Sequence, residues 1–271
     1  MFEKYIIDSL GSVRTDQFDP EDTLDLNKKK ARQECDRLRQ RFAELQEVLY
    51  ASKKFGLLIV LQGMDCSGKD GAVQNVLTGV NPTGFNVKAM KIPTSDEVGH
   101  GYLWRAQKKT PQKGNIVVFN RSYYEDVLVN RVHGQVDDET AYRRFEEIRN
   151  FEEYLVNNHT VLIKFFLHIS KDFQKGKLLK RLKDPKKHWK FSQNDLEERK
   201  YWDDYQRCYS DVLSRCSSKS APWYVVPSNH RWFRDYFILK TIVQTLEELQ
   251  LEYPVIQDNI RSLIQALEEG E

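Results

Sequence analysis

The sequence predicts an α/β fold: a mostly parallel sheet held between two layers of helices. Three observations carry that prediction. Near-continuous apolar runs, Leu57-Leu58-Ile59-Val60-Leu61 and Ile116-Val117-Val118-Phe119, have the composition of strands buried on both faces. Helical patterns alternate with such runs, the order a doubly wound three-layer sheet requires. The first run passes directly into a glycine-bounded loop, Gly63-Met64-Asp65-Cys66-Ser67-Gly68-Lys69-Asp70-Gly71. A length of 271 residues suits one such domain with added helices.

Residues 1–26 mix charge, Gly11 and Pro20 with little periodicity and read as an irregular arm; residues 27–271 read as a single domain. A helix is expected over 27–53, where Ala31, Cys35, Leu38, Phe42, Leu45 and Leu49 alternate spacings of four and three. Its apolar face packs either on its own domain or on a second subunit. Strands are expected at 57–62, 86–92, 116–120, 161–169 and 223–226. Helices are expected at 70–78, 98–109, 141–157, 230–250 and 256–269, with a long helical stretch over 171–216 interrupted at Asp184-Pro185.

The formal net charge is +2, so no global bias toward nucleic acid or membrane exists. Four dispersed cysteines form no CxxC pair, which argues against a disulfide framework and fits a reducing cytoplasm. No run approaches the ~18 apolar residues of a membrane span, and the N-terminus does not resemble a secretion signal.

The loop between Gly63 and Lys69 fits G-x-x-x-x-G-K, a phosphate-cradling pattern. Its glycines let successive N–H groups face one anion, and the following helix adds its positive end. Gly63, Ser67, Gly68, Lys69, Asp70 and Gly71 are therefore candidate phosphate contacts, with Lys69 a mobile point charge. Asp70 stands where Ser or Thr normally offers a hydroxyl to magnesium; a plain first-turn acid is the alternative. Asp65 would repel phosphate unless a cation intervened, so it is assigned to magnesium; an Asx-type bond shaping the loop is the alternative.

A second segment, Asn120-Arg121-Ser122-Tyr123-Tyr124-Glu125-Asp126, follows the third expected strand. Ligands of open parallel sheets sit beyond such strand ends. Arg121 can grip a phosphoryl group with two hydrogen bonds, or pair with Glu125 at helical spacing. A third segment, from Lys171 to Lys190, holds nine basic residues and only two acids. It reads as a solvated helix face or as a hinged lid carrying cations, among them Arg181, Lys187 and Lys190. Arg199 and Arg207 are further candidates on the helix beyond. Trp104 and Arg105 follow Pro93-Thr94-Ser95, where an acceptor pocket is expected; Trp104 equally suits the core.

Taken in order, the loop motif, Gly79-Val80-Asn81-Pro82-Thr83-Gly84, Pro93-Thr94-Ser95, Tyr102-Leu103-Trp104-Arg105, Phe119-Asn120-Arg121-Ser122-Tyr123-Tyr124-Glu125, Asn130-Arg131-Val132-His133 and Lys187-His188-Trp189-Lys190-Phe191-Ser192 resemble the type 2 polyphosphate kinase family. The resemblance spans residues 55 to 250. It implies a three-layer α/β/α P-loop kinase fold with a helical lid and added terminal helices. It also implies phosphoryl transfer between inorganic polyphosphate and adenine or guanine nucleotides, with magnesium or manganese. Asp65, Lys69, Asp70 and Arg121 map onto the family's loop acid, lysine, following acid and strand-end arginine, and the Lys175–Lys190 region onto its basic lid. The Asn-Arg-Ser-Tyr-Tyr-Glu form resembles the subclass that accepts nucleoside mono- and diphosphates. There Asn120 faces the nucleotide, and either Glu125 or water supplies the second metal ligand. A cytoplasmic homo-oligomer without nucleic-acid or membrane partners is expected. The alternative is an ATP-dependent nucleoside monophosphate kinase on the same fold.

Overall fold

Gly56–Gln62 is buried along its whole length and forms β2, at the heart of the sheet. The computed structural model describes residues 2–90, 92–255 and 259–270. Its six strands are β1 (Ile6–Ile7), β2, β3 (Phe85–Ala89), β4 (Ile116–Asn120), β5 (Thr160–His168) and β6 (Trp223–Pro227), in the order β1-β6-β5-β2-β4-β3. All neighbours run parallel except β1, which lies antiparallel on β6.

Two helical layers cover the sheet. Leu57, Ile59 and Leu61 point to one face with α1 (Lys28–Ser52), α2 (Lys69–Val76) and α10 (Arg231–Glu248). Leu58 and Val60 point to the other, with α6 (Asp138–Asn157) and α9 (Trp202–Arg215). Each buried leucine of this kind contributes about 1.5–3 kcal/mol. On α1 the six apolar positions read from the sequence are all buried, and the helix packs on α10 of its own chain.

Smaller helices are α3 (Ser95–Val98), α4 (Trp104–Gln107), α5 (Val129–Val132), α7 (Lys171–Lys183), α8 (Gln193–Lys200) and α11 (Ile260–Glu269). Four boundaries differ from expectation. The stretch 98–109 holds only the last residue of α3 and the four residues of α4, parted where Gly99 and Gly101 lower helix stability. The stretch 171–216 is α7, a 3-10 turn over Pro185–Lys190, then α8 and α9. The strand expected over 86–92 ends at Ala89; Lys91 and residues 256–258 of the expected last helix lie outside the described residues. The N-terminal arm is more ordered than its sequence implies: Phe2 stacks on Phe237 with ring centroids 3.9 Å apart, Tyr5 is buried, and β1 extends the sheet. A two-residue strand is too short to produce a periodic signal.

Candidate active site

The loop after β2 lies at the carboxyl end of the sheet, between β4 and β5. Gly68 adopts φ +94°, and a Cβ there would sit 2.0 Å from Arg234 Nη1, so only glycine fits. Lys69 opens α2 and folds back across the loop: its Nζ donates to Gly63 O at 2.6 Å and to Met64 O at 3.3 Å. Burial, reinforced by the neighbouring Arg121, pushes the Lys69 ammonium below its usual range. Ser67 Oγ is buried with no hydrogen-bond partner among the described residues.

Arg121 follows β4 with a left-handed backbone, φ +63°. Strain of this kind in a non-glycine residue concentrates at functional sites. Its amide still donates to Leu61 O at 3.1 Å, which anchors the turn to β2. The side chain reaches Asp65 at 2.9 Å and Glu125 at 4.0 Å. Below the turn, the Tyr123 and Tyr124 hydroxyls both donate to Glu152 Oε1 at 2.7 Å. Lys164, wholly buried, pairs with Glu152 at 2.6 Å. This buried network fixes the segment that carries Arg121 and Glu125.

Two chambers meet at Asp65, Arg121 and Met90. One, of about 780 Å³, is lined by nine lysines and arginines but only two acids, Asp65 and Asp70. Lys69, Arg181, Lys187, Lys190 and Arg234 are among the cations. Asn120 lies here too, its Nδ2 donating to Asp70 Oδ1 at 2.6 Å. The other chamber, of about 590 Å³, carries five acids, Asp65, Glu125, Asp126, Asp195 and Glu198, against Arg105 and Arg121 among the described residues. Burial raises the Glu125 carboxyl, with Arg121 and Lys69 opposing. Burial also raises the Asp126 and Asp195 carboxyls.

The lid formed by α7, the 3-10 turn and α8 roofs both chambers. Arg181 bridges to Asp195 at 3.0 Å, and Lys187 pairs with Asp184. His133 Nε2 lies 3.0 Å from Glu198 Oε1, tying the end of α5 to α8.

Most site residues expected from the sequence converge here. Gly63 lines the acidic chamber. Asp65, Ser67, Gly68, Lys69, Asp70, Gly71, Asn120, Arg121, Arg181, Lys187 and Lys190 line the cationic one, and Glu125 and Arg105 face the acidic one. Arg105 is buried and spans Glu97 and Asp126, at 4.0 and 3.5 Å. Trp104 lies apart, in a further cavity beyond Arg105, stacked on His100 with centroids 3.8 Å apart. Arg199 lines neither chamber: its Nη1 donates to Lys171 O at 2.7 Å and to Gln174 Oε1 at 2.8 Å. Arg207 pairs with Asp204 on the exposed side of α9.

Sequence reasoning missed Gln174, Arg231 and Arg234. Gln174 is buried and donates through Nε2 to Asp65 O at 3.1 Å, so the Arg199–Gln174 pair braces the loop from the lid. A neutral side chain within a lysine-rich run carries no signal of that role. Arg231 and Arg234 begin a helix remote in sequence, and only the fold brings them to Gly68.

Among the described residues, no group of three or more His, Cys, Asp or Glu side chains forms a cage for a metal ion. The nearby oxygen donors, Asp65 and Glu125 about Arg121, suit a hard cation that keeps waters and takes its remaining ligands from phosphate oxygens. No helix among the described residues is long and apolar enough to cross a membrane.

The family model for Polyphosphate kinase 2 (PPK2) matches residues 25–254. The chain is 43% identical over 254 residues, covering 93% of itself and 95% of the relative, to a Meiothermus ruber protein named AMP/ADP-polyphosphate phosphotransferase. It is likewise 43% identical over 227 residues, 79% of this chain and 78% of the relative, to an ADP-polyphosphate phosphotransferase of Rhodopseudomonas palustris. The crystal structure of polyphosphate kinase 2 from Arthrobacter aurescens TC1 superposes with a TM-score of 0.93 at 38% identity, over 97% of this chain and 95% of that one.

Proposed function

This chain belongs to the polyphosphate kinase 2 family, and from that premise we propose that it transfers phosphoryl groups between inorganic polyphosphate and nucleotides, using both AMP and ADP as acceptors. The observation that carries this reading is the pair of chambers of opposite character sharing Asp65 and Arg121. A polyanionic donor fits the cationic one. The acidic one suits a nucleotide whose phosphate meets Arg121 at the shared wall. An ATP-dependent monophosphate kinase needs no polyanion track of this extent, and the relatives' names do not favour it.

The terminal phosphate of AMP or ADP is already anionic near neutral pH, so the reaction needs no side chain to remove a proton. The chain's task is to bring two anions in line and neutralise the charge between them. Lys69 and the amides at the start of α2 hold the donor phosphate. The Ser67 hydroxyl, costly to bury bare, suits a phosphate oxygen of that donor. Arg121, fixed by its strained turn and the Glu152 network, spans the phosphoryl group in transit. The lid excludes water, which prevents hydrolysis of the donor. Asp65 and Glu125 would hold a magnesium or manganese ion, which when bound would neutralise charge on the bridging oxygens. Arg105 belongs to this reading as an acceptor-side contact on the acidic chamber, whereas Asn120, read from the sequence as a nucleotide contact, lies in the cationic chamber bonded to Asp70. The free thiols suit a reducing cytoplasm, and a homo-oligomer built on one kinase domain from residue 27 completes the reading.

The test is turnover with AMP and ADP separately, polyphosphate as sole donor, over a magnesium series. ADP formed from AMP and ATP formed from ADP are expected. Absence of both products at every magnesium concentration would refute the reading.

A further inference from the structure

The last helix, α11, lines neither chamber. Ile260, Leu263, Ile264 and Leu267 recur along it at helical spacing, which puts all four on one stripe. Gly270, with φ +81°, ends the helix in the left-handed turn that glycine allows. The four side chains are 48% to 78% exposed, so their own chain leaves the stripe open. No other helix among the described residues exposes more than two large apolar side chains. A ten-residue helix is marginal in water by itself, so the stripe calls for a cover. The charged positions say which cover fits. Gln265 Nε2 donates to Glu269 Oε1 at 2.7 Å, on the face away from the stripe. Arg261 and Glu268 instead share one flank of the stripe, two turns or roughly 10 Å apart. Neither makes an ion pair among the described residues, and the other flank holds the uncharged Ser262 and Ala266. When two copies of α11 lie antiparallel, stripe on stripe, their twofold axis sets the two charged flanks side by side in opposite directions. Arg261 of each copy then meets Glu268 of the partner subunit. A parallel pair would set that flank against Ser262 and Ala266 and gain neither contact. An anionic lipid surface fits poorly: interfacial helices carry Lys and Arg on their polar face, and this one holds one cation against two acids.

We propose that α11 is a self-recognition surface, on which two copies of this chain pair through antiparallel apolar stripes registered by reciprocal Arg261–Glu268 ion pairs. This rests on the homo-oligomer of the reading above and names its contact; the phosphoryl-transfer chemistry stands apart from it. Four side chains a copy fall short of the roughly 20–30 residues a side of a standard interface, which places the pair in the weak class, with Kd on the order of 10 μM. Such a pair forms and parts with protein concentration.

The test is sedimentation velocity on the full chain from about 1 to 300 μM, a range that brackets that Kd. The wild-type chain is expected to pass from monomer to dimer. Leu263→Gln with Ile264→Gln, both at exposed positions, should raise Kd at least about tenfold. Arg261→Glu alone and Glu268→Arg alone set like charges face to face, and each should raise Kd about three- to fivefold. Both charge changes in one chain should restore the wild-type Kd. An equimolar mixture of the two single variants should form a heterodimer tighter than either homodimer. Loss of affinity in the single variants without that rescue would overturn the antiparallel pairing. A dimer unchanged by Leu263→Gln with Ile264→Gln would overturn the surface and leave the homo-oligomer standing; a wild-type chain that stays monomeric throughout would overturn both. Flotation with vesicles holding about one-third anionic lipid is the remaining arm. Capture of the wild-type chain, lost in the apolar double variant while its dimer persists, would assign the stripe to a membrane and overturn the proposal.

Discussion

The two chambers on either side of Arg121 share a wall but not a chemistry. One gathers cations from the loop, the lid and α10, the other acids from the strand-end segment and α8. Like charges crowded in a low-dielectric space repel strongly, so each arrangement carries a penalty that a ligand of the opposite sign relieves. If the proposed function holds, the contrast sorts donor and acceptor by charge before any step occurs: a long polyanion would be repelled by five acids, and a nucleotide entering with a divalent cation would not.

The largest break in this comparison is at the shared wall and its lysine. Lys69→Ala and Arg121→Ala are each expected to lower kcat on the order of 10²–10³ with melting temperature little changed. Initial rates with polyphosphate and ADP, beside circular dichroism, check this; near-full activity in either variant removes that residue from the mechanism. A sharper cut reverses charge on one side only. Lys187→Glu with Lys190→Glu should raise KM for polyphosphate about tenfold or more while leaving KM for AMP within about twofold. Equal rises in both constants would erase the sorting argument.

The acidic chamber gives a pH signature. Burial raises the Glu125 carboxyl above the ordinary range, so as pH falls it takes up a proton earlier than an exposed glutamate would. Activity should drop on the acid side through that raised value. Glu125→Gln should lower the rate at neutral pH and flatten the acid limb of kcat/KM. An unchanged limb would assign the titration to another group. A smaller effect is expected from the brace: Gln174→Met leaves both chambers' charges intact but frees the Asp65 carbonyl. A few-fold rise in the magnesium concentration needed for half-maximal rate is expected, with Arg199→Gln matching it and the double variant adding little.

The smallest effect lies outside both chambers and serves as a control. Burial pushes His168 down to about 4, so in the folded chain it is neutral where the unfolded chain, near 6.5, begins to bind a proton. Stability should therefore fall as pH drops from about 6.5 towards 4. His168→Gln should flatten that slope in thermal melts and leave phosphoryl transfer alone.

How much of this was legible beforehand follows from how local each signal is. The buried runs 57–61 and 116–119 and the Gly63–Lys69 pattern are contiguous, and the sheet and its loop follow from them directly. The lid's break was readable because proline acts on its immediate neighbours. Other features depend on the tertiary arrangement. Trp104 shares a segment with Arg105, yet one turn of α4 sends the arginine into the wall of the acidic chamber and leaves the indole on His100. Arg199 has the right charge on the right element, but its fork is taken by Lys171 O and Gln174. The acids of the second chamber come from segments far apart in sequence, so no run of charge announces them.

The central claim, that charge sorts donor from acceptor across Asp65 and Arg121, is tested most directly by a crystal structure with AMP and a polyphosphate chain bound together. The account predicts phosphorus density along Lys69 and the lid lysines, with the adenylate phosphate facing it from the Glu125 side of Arg121. Adenylate seated among the lid lysines, or polyphosphate running between Glu125 and Glu198, would contradict it.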